Sequence, residues 1–312
     1  MRTLRGLKHD AVGLDRLESP FTDQVGSIAD RAFVGRCMRG AEAVLHTATL
    51  HKPHVATQSR QEFVDTNITG TLNLLEEAAS AGASSFIFTS TTSAFGGALT
   101  PPEGAPAAWI TEDVAPVPKN IYGATKVAAE DLCALFHRDH GLDCVVLRTS
   151  RFFPEEDDDA RTRRAFDDGN SKANEYLYRR VDIEDAVSAH LAALERARGI
   201  GFARYIVSAT TPFTRDDLSG LRVNAPLVVG RRCPGYAAEY ERRGWRMFPS
   251  IERVYDNARA RKALEWRPRH DFASLLDRLK AGESILSPLA REIGEKGYHR
   301  KFGAGDGNRT HV

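Results

Sequence analysis

The sequence predicts an α/β protein: a doubly wound parallel sheet with a smaller C-terminal part. Three observations predict it. Short apolar runs recur at 11–15, 42–48, 86–89 and 143–148, each with the look of a strand buried on both faces. Helical patterns alternate with those runs and are stopped by glycine. A tyrosine and a lysine, Tyr122 and Lys126, open the helix that follows a strand ending in hydroxyl residues. Strand, helix, strand, helix at this rhythm is the pattern of a sheet covered by helices on both faces.

In chain order, Ala11-Val-Gly-Leu-Asp15 is an apolar run ending in an acid, and Glu42-Ala-Val-Leu-His-Thr-Ala48 is the second run. A helix is predicted over 61–81, with Phe63, Val64, Ile68, Leu72, Leu75 and Ala79 close to a 3.6-residue period and Gly82 at its end. Ser85-Phe-Ile-Phe-Thr-Ser-Thr-Thr-Ser93 reads as a buried strand running out into hydroxyls. A helix over 121–140 stopped by Gly141, a strand at 143–148, a helix at 187–196 led in by Asp182, Glu184 and Asp185, and a strand at 202–207 complete the rhythm. The three acids are expected to cap that helix.

After about Arg151 the pattern changes. Pro154-Glu-Glu-Asp-Asp-Asp-Ala160 is acidic and is followed by Arg161, Arg163 and Arg164. A solvated loop is the plain reading, and a lid over a substrate the sharper one. Short helices are expected near 215–221 and 272–281, and the mix of cations and aromatics in 242–248 reads as solvated surface, with a pocket for phosphates or a nucleotide ring as the alternative. Gly-rich, polar residues near the end of the chain predict a disordered tail over 291–312.

Composition sets limits. The 312 residues, 42% hydrophobic and 27% charged, fit one large α/β domain with an appendage. A net charge of +1 gives no reason to expect nucleic acid or an anionic membrane. No apolar run approaches the roughly 18 residues of a membrane span. Cys37, Cys133, Cys144 and Cys233 have no metal or disulfide spacing, and His46, His51 and His54 match no common zinc pattern, so a reduced, cytoplasmic, metal-free protein is expected.

The chemistry is carried by Tyr122-Gly-Ala-Thr-Lys126. Four residues apart on a helix, the two side chains share one face. The lysine charge favours the phenolate and is expected to lower the tyrosine pKa, tuning it to pass protons to and from a substrate hydroxyl or carbonyl.

Together these motifs resemble the extended short-chain dehydrogenase/reductase family of the nucleotide-sugar epimerase/dehydratase type, across roughly 5–285. Asp65-Thr-Asn-Ile-Thr-Gly-Thr-Leu-Asn-Leu-Leu-Glu-Glu-Ala78 is similar to its N-x-x-G-T-x-x-L-L-E-A helix. Thr89-Ser-Thr-Thr-Ser-Ala-Phe-Gly96 is similar to its S-S-x-x-x-Y-G segment, with Phe95 in place of tyrosine. Leu147-Arg148, Arg180-Val-Asp-Ile-Glu-Asp185 and Leu264-Glu-Trp-Arg-Pro268 resemble later landmarks. The resemblance implies a Rossmann-type NAD(P)-binding domain over 1–150 and a mixed substrate-binding region over 151–290 with elements returning to the sheet. It implies Thr91, Tyr122 and Lys126 as catalytic residues, with Lys126 also on the nicotinamide ribose. It implies Asp15, Arg16, Ile28, Thr47, Ala48, Thr49, Leu50, His51 and Thr66 along the cofactor, beside Tyr122 and Lys126. Thr91, Tyr122 and Arg151 would meet substrate. Asp15 favours NAD over NADP because a carboxylate repels a 2′-phosphate; Arg16 beside it works the other way. The helices 61–81 and 121–140 imply a homodimer.

Four departures shape the functional expectation. Ser27 stands where an adenine-binding aspartate is usual, and Asp30 replaces it only in part. Thr92 and Ser93 follow Thr91 where dehydratases carry Asp-Glu. Thr149-Ser-Arg-Phe-Phe153 has no asparagine of the kind that nucleotide-sugar enzymes carry. The glycine-rich phosphate loop has no counterpart, and Leu4–Asp10 resembles the end of the helix that should follow it, so the first strand, the loop and most of that helix are expected to be missing through a late start codon or truncated gene. The leading expectation is an NAD(P)-dependent epimerase or dehydratase using a Thr-Tyr-Lys site, of the nucleotide-sugar 4-epimerase kind. The alternatives are a dehydrogenase or reductase on a non-nucleotide alcohol or ketone, and a cofactor-free inactive remnant.

Overall fold

The computed structural model describes residues 1–295. Its centre is a four-stranded parallel sheet of order β3 (Ala43–His46), β4 (Ser85–Thr91), β6 (Asp143–Thr149) and β7 (Phe202–Val207). The two central strands are in register from Ser85 opposite Asp143 to Thr91 opposite Thr149. That register brings the hydroxyl ends of β4 and β6 to one edge of the sheet. The apolar runs at 42–48, 86–89 and 143–148 and the strand expected at 202–207 form these four strands, and the Phe86–Phe88 and Val145–Leu147 cores are fully buried, as continuous runs in a doubly covered sheet should be.

The alternation of side chains divides the core into two layers. Phe86, Phe88, Cys144 and Val146 face Leu74, Leu75, Ala78, Ala129, Cys133 and Phe136. Ile87, Val145 and Leu147 face Ala186, Ala189, Ala193, Ala197, Leu264 and Trp266. The small alanines at three- and four-residue steps let the helix Ile183–Ile200 lie close on the sheet. Asp182 caps that helix by accepting from the Glu184 amide at 2.9 Å; Asp185 instead accepts from the Arg269 and His270 amides.

The first predicted strand is shorter than its apolar run. Only Leu14–Asp15 (β1) is extended, paired in parallel with Gln24–Val25 (β2) in a separate two-stranded sheet. Gly13 ends it: its carbonyl accepts from the Asp23 and Gln24 amides, and its own amide donates to the Asp23 carboxylate at 2.7 Å. No ladder joins β1 to β3 among the described residues.

The predicted helix over 61–81 begins at Arg60 behind a Ser59/Glu62 capping box, widens into a π-turn over Asp65–Thr69 and continues to Ser80. The helix Ile121–His140 matches its prediction at both ends: Asn120 caps it through the Gly123 amide at 3.0 Å, and Gly141 at φ 69° closes it.

A third core, with Tyr176, Phe213, Val228, Tyr240, Phe272 and Leu276, forms the C-terminal part, which a small sheet of β5 (Ala108–Ile110) and β8 (Arg253–Tyr255) ties to the middle of the chain. The helix expected near 215–221 is a 3-10 turn at Arg215–Asp217 followed by a helix over Leu218–Arg232, which breaks at Asn224 because Pro226 cannot continue the ladder. The 272–281 helix is Phe272–Lys280. The helix Pro288–Ile293 reaches into the stretch expected as a tail; 296–312 lie outside the described residues. No helix among the described residues is long and apolar enough to cross a membrane.

Candidate active site

A cleft of about 2280 Å³ runs along the open edge of β3, from Glu42, Ala43 and Ser84 at the start of the strands to the C-terminal ends of β4 and β6. Asp15, Arg16, Ile28, Thr47, Ala48, Thr49, Leu50, His51, Thr66, Thr91, Tyr122 and Arg151 all line it. Lys126 does not; it lies one helical turn deeper than Tyr122 and is fully buried.

Each wall has a local cause. Thr91 is the last residue of β4, and its hydroxyl accepts from the Ser93 amide at 3.1 Å, which turns the chain into the 3-10 segment Thr92–Leu99. Gly96 in that segment sits at φ 48°, where an added Cβ would lie 2.0 Å from the Val117 carbonyl oxygen; only glycine fits. Phe95 is thereby buried against Ile110, Ile206 and Tyr255, so the position that is tyrosine in the resembled family serves here as core. Gly70 plays a similar part on the opposite wall, giving Ile28 room to pack on the helix.

Tyr122 enters the cleft from the first turn of its helix, packed on Leu50 and Phe63 and 8% exposed. Burial pushes its pKa up to about 12, and the Thr91 hydroxyl beside it pulls the other way. Burial pushes Lys126 down to about 7, against the upward pull of Glu130. The lysine ammonium stands 3.9 Å from the centre of the Phe88 ring. The expectation that Lys126 lowers the Tyr122 pKa is corrected on this point. Burial raises the phenol, and the group that opposes it is the Thr91 hydroxyl, not Lys126.

Asn67 holds this constellation in place, a role the sequence reading left unassigned. It is 2% exposed and sits in the π-turn. Its Oδ1 accepts from the Leu50 amide at 2.8 Å and the Thr49 hydroxyl at 3.0 Å, while its Nδ2 donates to the Leu50 carbonyl and to Thr125 Oγ1. Below the site, fully buried Glu130 accepts from Ser90 Oγ at 2.5 Å, from Arg148 at 2.7 Å and from Arg204 at 3.0 Å. Its spacing of four residues from Lys126 was the available signal. His46 is buried, bonded to Thr71 at 2.9 Å and pushed well below its ordinary pKa by that burial and by Lys126, so it is a neutral core residue. Asp30, considered for an adenine contact, caps the helix Arg31–Met38 through the Phe33 amide at 3.1 Å.

The sequence profile of the NAD dependent epimerase/dehydratase family matches residues 1–207. The chain belongs to that family. Within it, the chain is 30% identical over 267 residues to a dTDP-glucose 4,6-dehydratase of Streptomyces antibioticus, covering 80% of this chain and 72% of that protein. It is 36% identical over 131 residues to a dTDP-glucose 4,6-dehydratase of Streptomyces niveus, covering 41% of this chain and only 37% of the relative's length. Among solved structures, a short-chain dehydrogenase/reductase superfamily protein of Agrobacterium tumefaciens with bound NAD aligns with a TM-score of 0.63 at 20% identity, covering 94% and 92% of the two chains. A UDP-N-acetylglucosamine 4-epimerase of Bacillus cereus aligns with a TM-score of 0.61 at 17% identity, covering 90% and 92%. At such identities these structures bear on the fold, and they agree with the Rossmann-type reading of this epimerase/dehydratase-family chain.

Proposed function

We propose that this chain is an NAD-dependent oxidoreductase of the epimerase type, acting on a hydroxyl-bearing small molecule of the nucleotide-sugar kind. The observation that carries the reading is the meeting of Thr91 and Tyr122 in the wall of the cleft that Asp15 and 47–51 also line. Those residues suit NAD: a carboxylate at the end of β1 for the ribose hydroxyls, and a braced segment along the opposite wall. NAD, when bound, supplies a hydride acceptor that returns the hydride in the second half of an epimerisation. Tyr122, as the phenolate, takes the substrate hydroxyl proton in the oxidising half and gives it back in the second half, and Thr91 orients that oxygen. Lys126, poised near pH 7, supplies positive charge beneath the phenol when protonated. Thr92 and Ser93 in place of an Asp-Glu pair favour epimerisation over dehydration, even though the relatives above are dehydratases.

The lack of an asparagine after Leu147-Arg148 favours a second reading, a dehydrogenase or reductase on a non-nucleotide alcohol or ketone. One experiment separates the readings: NAD binding by the full chain, then turnover with UDP-glucose or dTDP-glucose as probes. Binding with isomerised product supports the epimerase. Binding with net NADH formation from a simple alcohol supports the dehydrogenase. A chain that binds no NAD at millimolar concentration overturns both. We also propose a homodimer through the helices Arg60–Ser80 and Ile121–His140. In support, Val64, Ile68 and Leu72 form a half-exposed apolar stripe at four-residue steps, near half-exposed Leu132 and Leu135.

A further inference from the structure

Glu130 lies one helical turn beyond Lys126, so the two side chains share a face of the helix Ile121–His140. The carboxylate is fully buried, and a buried charge needs close partners. Three neighbouring strands supply one each: Ser90 Oγ of β4 at 2.5 Å, Arg148 of β6 at 2.7 Å and Arg204 of β7 at 3.0 Å. The two arginines differ in what else they hold. Arg148 is buried with the acid and also reaches the Glu112 carbonyl at 3.4 Å. Arg204 comes from the edge strand, keeps 27% of its side chain in solvent, and divides its guanidinium between Glu130 and the exposed Asp131 carboxylate at 2.8 Å. One carboxylate thus faces two guanidinium cations, and the outer one is the one open to water.

Lys126 lies within reach of this balance. The strand register puts Phe88, Val146 and Arg204 in one row across the sheet. The Lys126 ammonium rests on Phe88 at one end of the row, 3.9 Å from the ring centre, and Arg204 stands at the other. Charges in such a desolvated layer are screened much less than at the surface. The titratable neighbours of Lys126 add no charge near neutral pH: burial pushes the Tyr122 phenol and the Cys133 thiol up and the His46 imidazole down. Phe88 and Ser90 of β4 carry none. On the adjoining helix Asp65 is exposed, and Glu76 and Glu77 are paired with Arg31; Lys52, on the 3-10 turn beyond, is paired with Asp158. Glu130 and its two arginines are therefore the charges that act on Lys126 from within the fold.

We propose that Arg204 is a tuning residue of the active site: by holding part of the Glu130 charge at the sheet edge it keeps Lys126 able to release its proton, and its contact with Asp131 opens that control to the protein surface. Without Arg204 the field of Glu130 is opposed by one cation instead of two, and Lys126 holds its proton more tightly. This rests on the site proposed above, but its test requires neither cofactor nor turnover. Lysine is isotope-labelled at Cε in the full chain, and the Lys126 signal, identified by its loss in Lys126→Met, is followed by NMR against pH. The unsubstituted chain should show a midpoint of about 7. Arg204→Gln should raise it by about one pH unit, the scale of one unit charge acting through a protein interior. Arg204→Lys keeps the charge and should stay near the unsubstituted midpoint, whereas a role in packing alone would move both variants together. Asp131→Lys adds positive charge beside Arg204 at a side chain that is 70% exposed, and should move the midpoint down. Thermal melts confirm that each variant is folded, and Asp131→Lys decides the matter if Arg204→Gln is not. An unmoved or lowered midpoint in Arg204→Gln, an equal rise in Arg204→Lys, or an unmoved or raised midpoint in Asp131→Lys each overturns the proposal. A chain that shows the expected shifts but binds no NAD keeps the tuning and sinks the oxidoreductase reading instead.

Discussion

Asn67 Nδ2 donates to Thr125 Oγ1 at 3.0 Å, and through that bond the wall proposed for the cofactor is fixed to the helix that carries Tyr122 and Lys126. Thr125 stands between those two residues and donates in turn to the Ile121 carbonyl at 2.9 Å. The Leu50 amide and carbonyl both end on the same asparagine. Replacing it therefore leaves buried backbone groups unpaired at the site itself. Asn67→Ala is expected to lower unfolding stability by about 2 kcal/mol and to weaken NAD binding more than it slows the bound complex. Urea unfolding and NAD titration measure the two effects separately.

Tyr122→Phe removes the proton carrier and little else, because the ring stays packed on Leu50 and Phe63. Turnover should fall by about 10²–10⁴-fold, the usual worth of a positioned acid or base, with the melting temperature nearly unchanged. A variant with undiminished turnover would remove Tyr122 from the chemistry.

Lys126 gives stability a pH dependence of defined sign. Burial pushes its folded pKa to about 7, while the ordinary value is 10.5. Between those values the unfolded chain holds the extra proton, so this group makes stability rise as pH increases from about 7, with its full penalty present below that. Lys126→Met should be more stable than the unsubstituted chain near pH 6, should lose that advantage by about pH 10, and should be inactive. Melting temperatures across this range test it; parallel pH profiles for the two proteins would contradict the sign.

Glu130 is fully buried and is shared by Ser90, Arg148 and Arg204. Glu130→Ala strands the buried Arg148 charge and is expected to cost about 3–5 kcal/mol. Glu130→Gln, which keeps a hydrogen-bonding oxygen, should cost less. Chemical denaturation of the pair of variants checks the order.

Ile68→Glu places a charge in the half-exposed apolar stripe of the Arg60–Ser80 helix, at a residue outside the packed core. If that stripe is the dimer surface, the variant should run as a monomer in light scattering while keeping its helical content. An unchanged mass would move the interface elsewhere.

Much of this molecule is legible in its sequence because its signals are local. Phe86–Phe88 and Val145–Leu147 are short and apolar without alternation, and their place between helical patterns reads as strands covered on both faces. Asn120 and Gly141 mark both ends of the Tyr122 helix by capping chemistry that needs no distant partner. Tyr122 was identifiable from its four-residue spacing to Lys126 on that helix and Thr91 through the resemblance of its segment to the family, whereas the register of β4 against β6 belongs to the tertiary structure.

The tertiary structure decided what depends on burial and on partners distant in the chain. It shortened the first strand by giving the Gly13 groups to Asp23. It also turned an expected phenolate-stabilising lysine into a buried amine beneath a raised tyrosine, because desolvation is set by the helices and strands packed around both groups, not by their four-residue spacing. The same reason applies to Arg204, which nothing in its local sequence marks out. Its place beside Glu130, 74 residues earlier, follows from the packing of β7 and the Tyr122 helix.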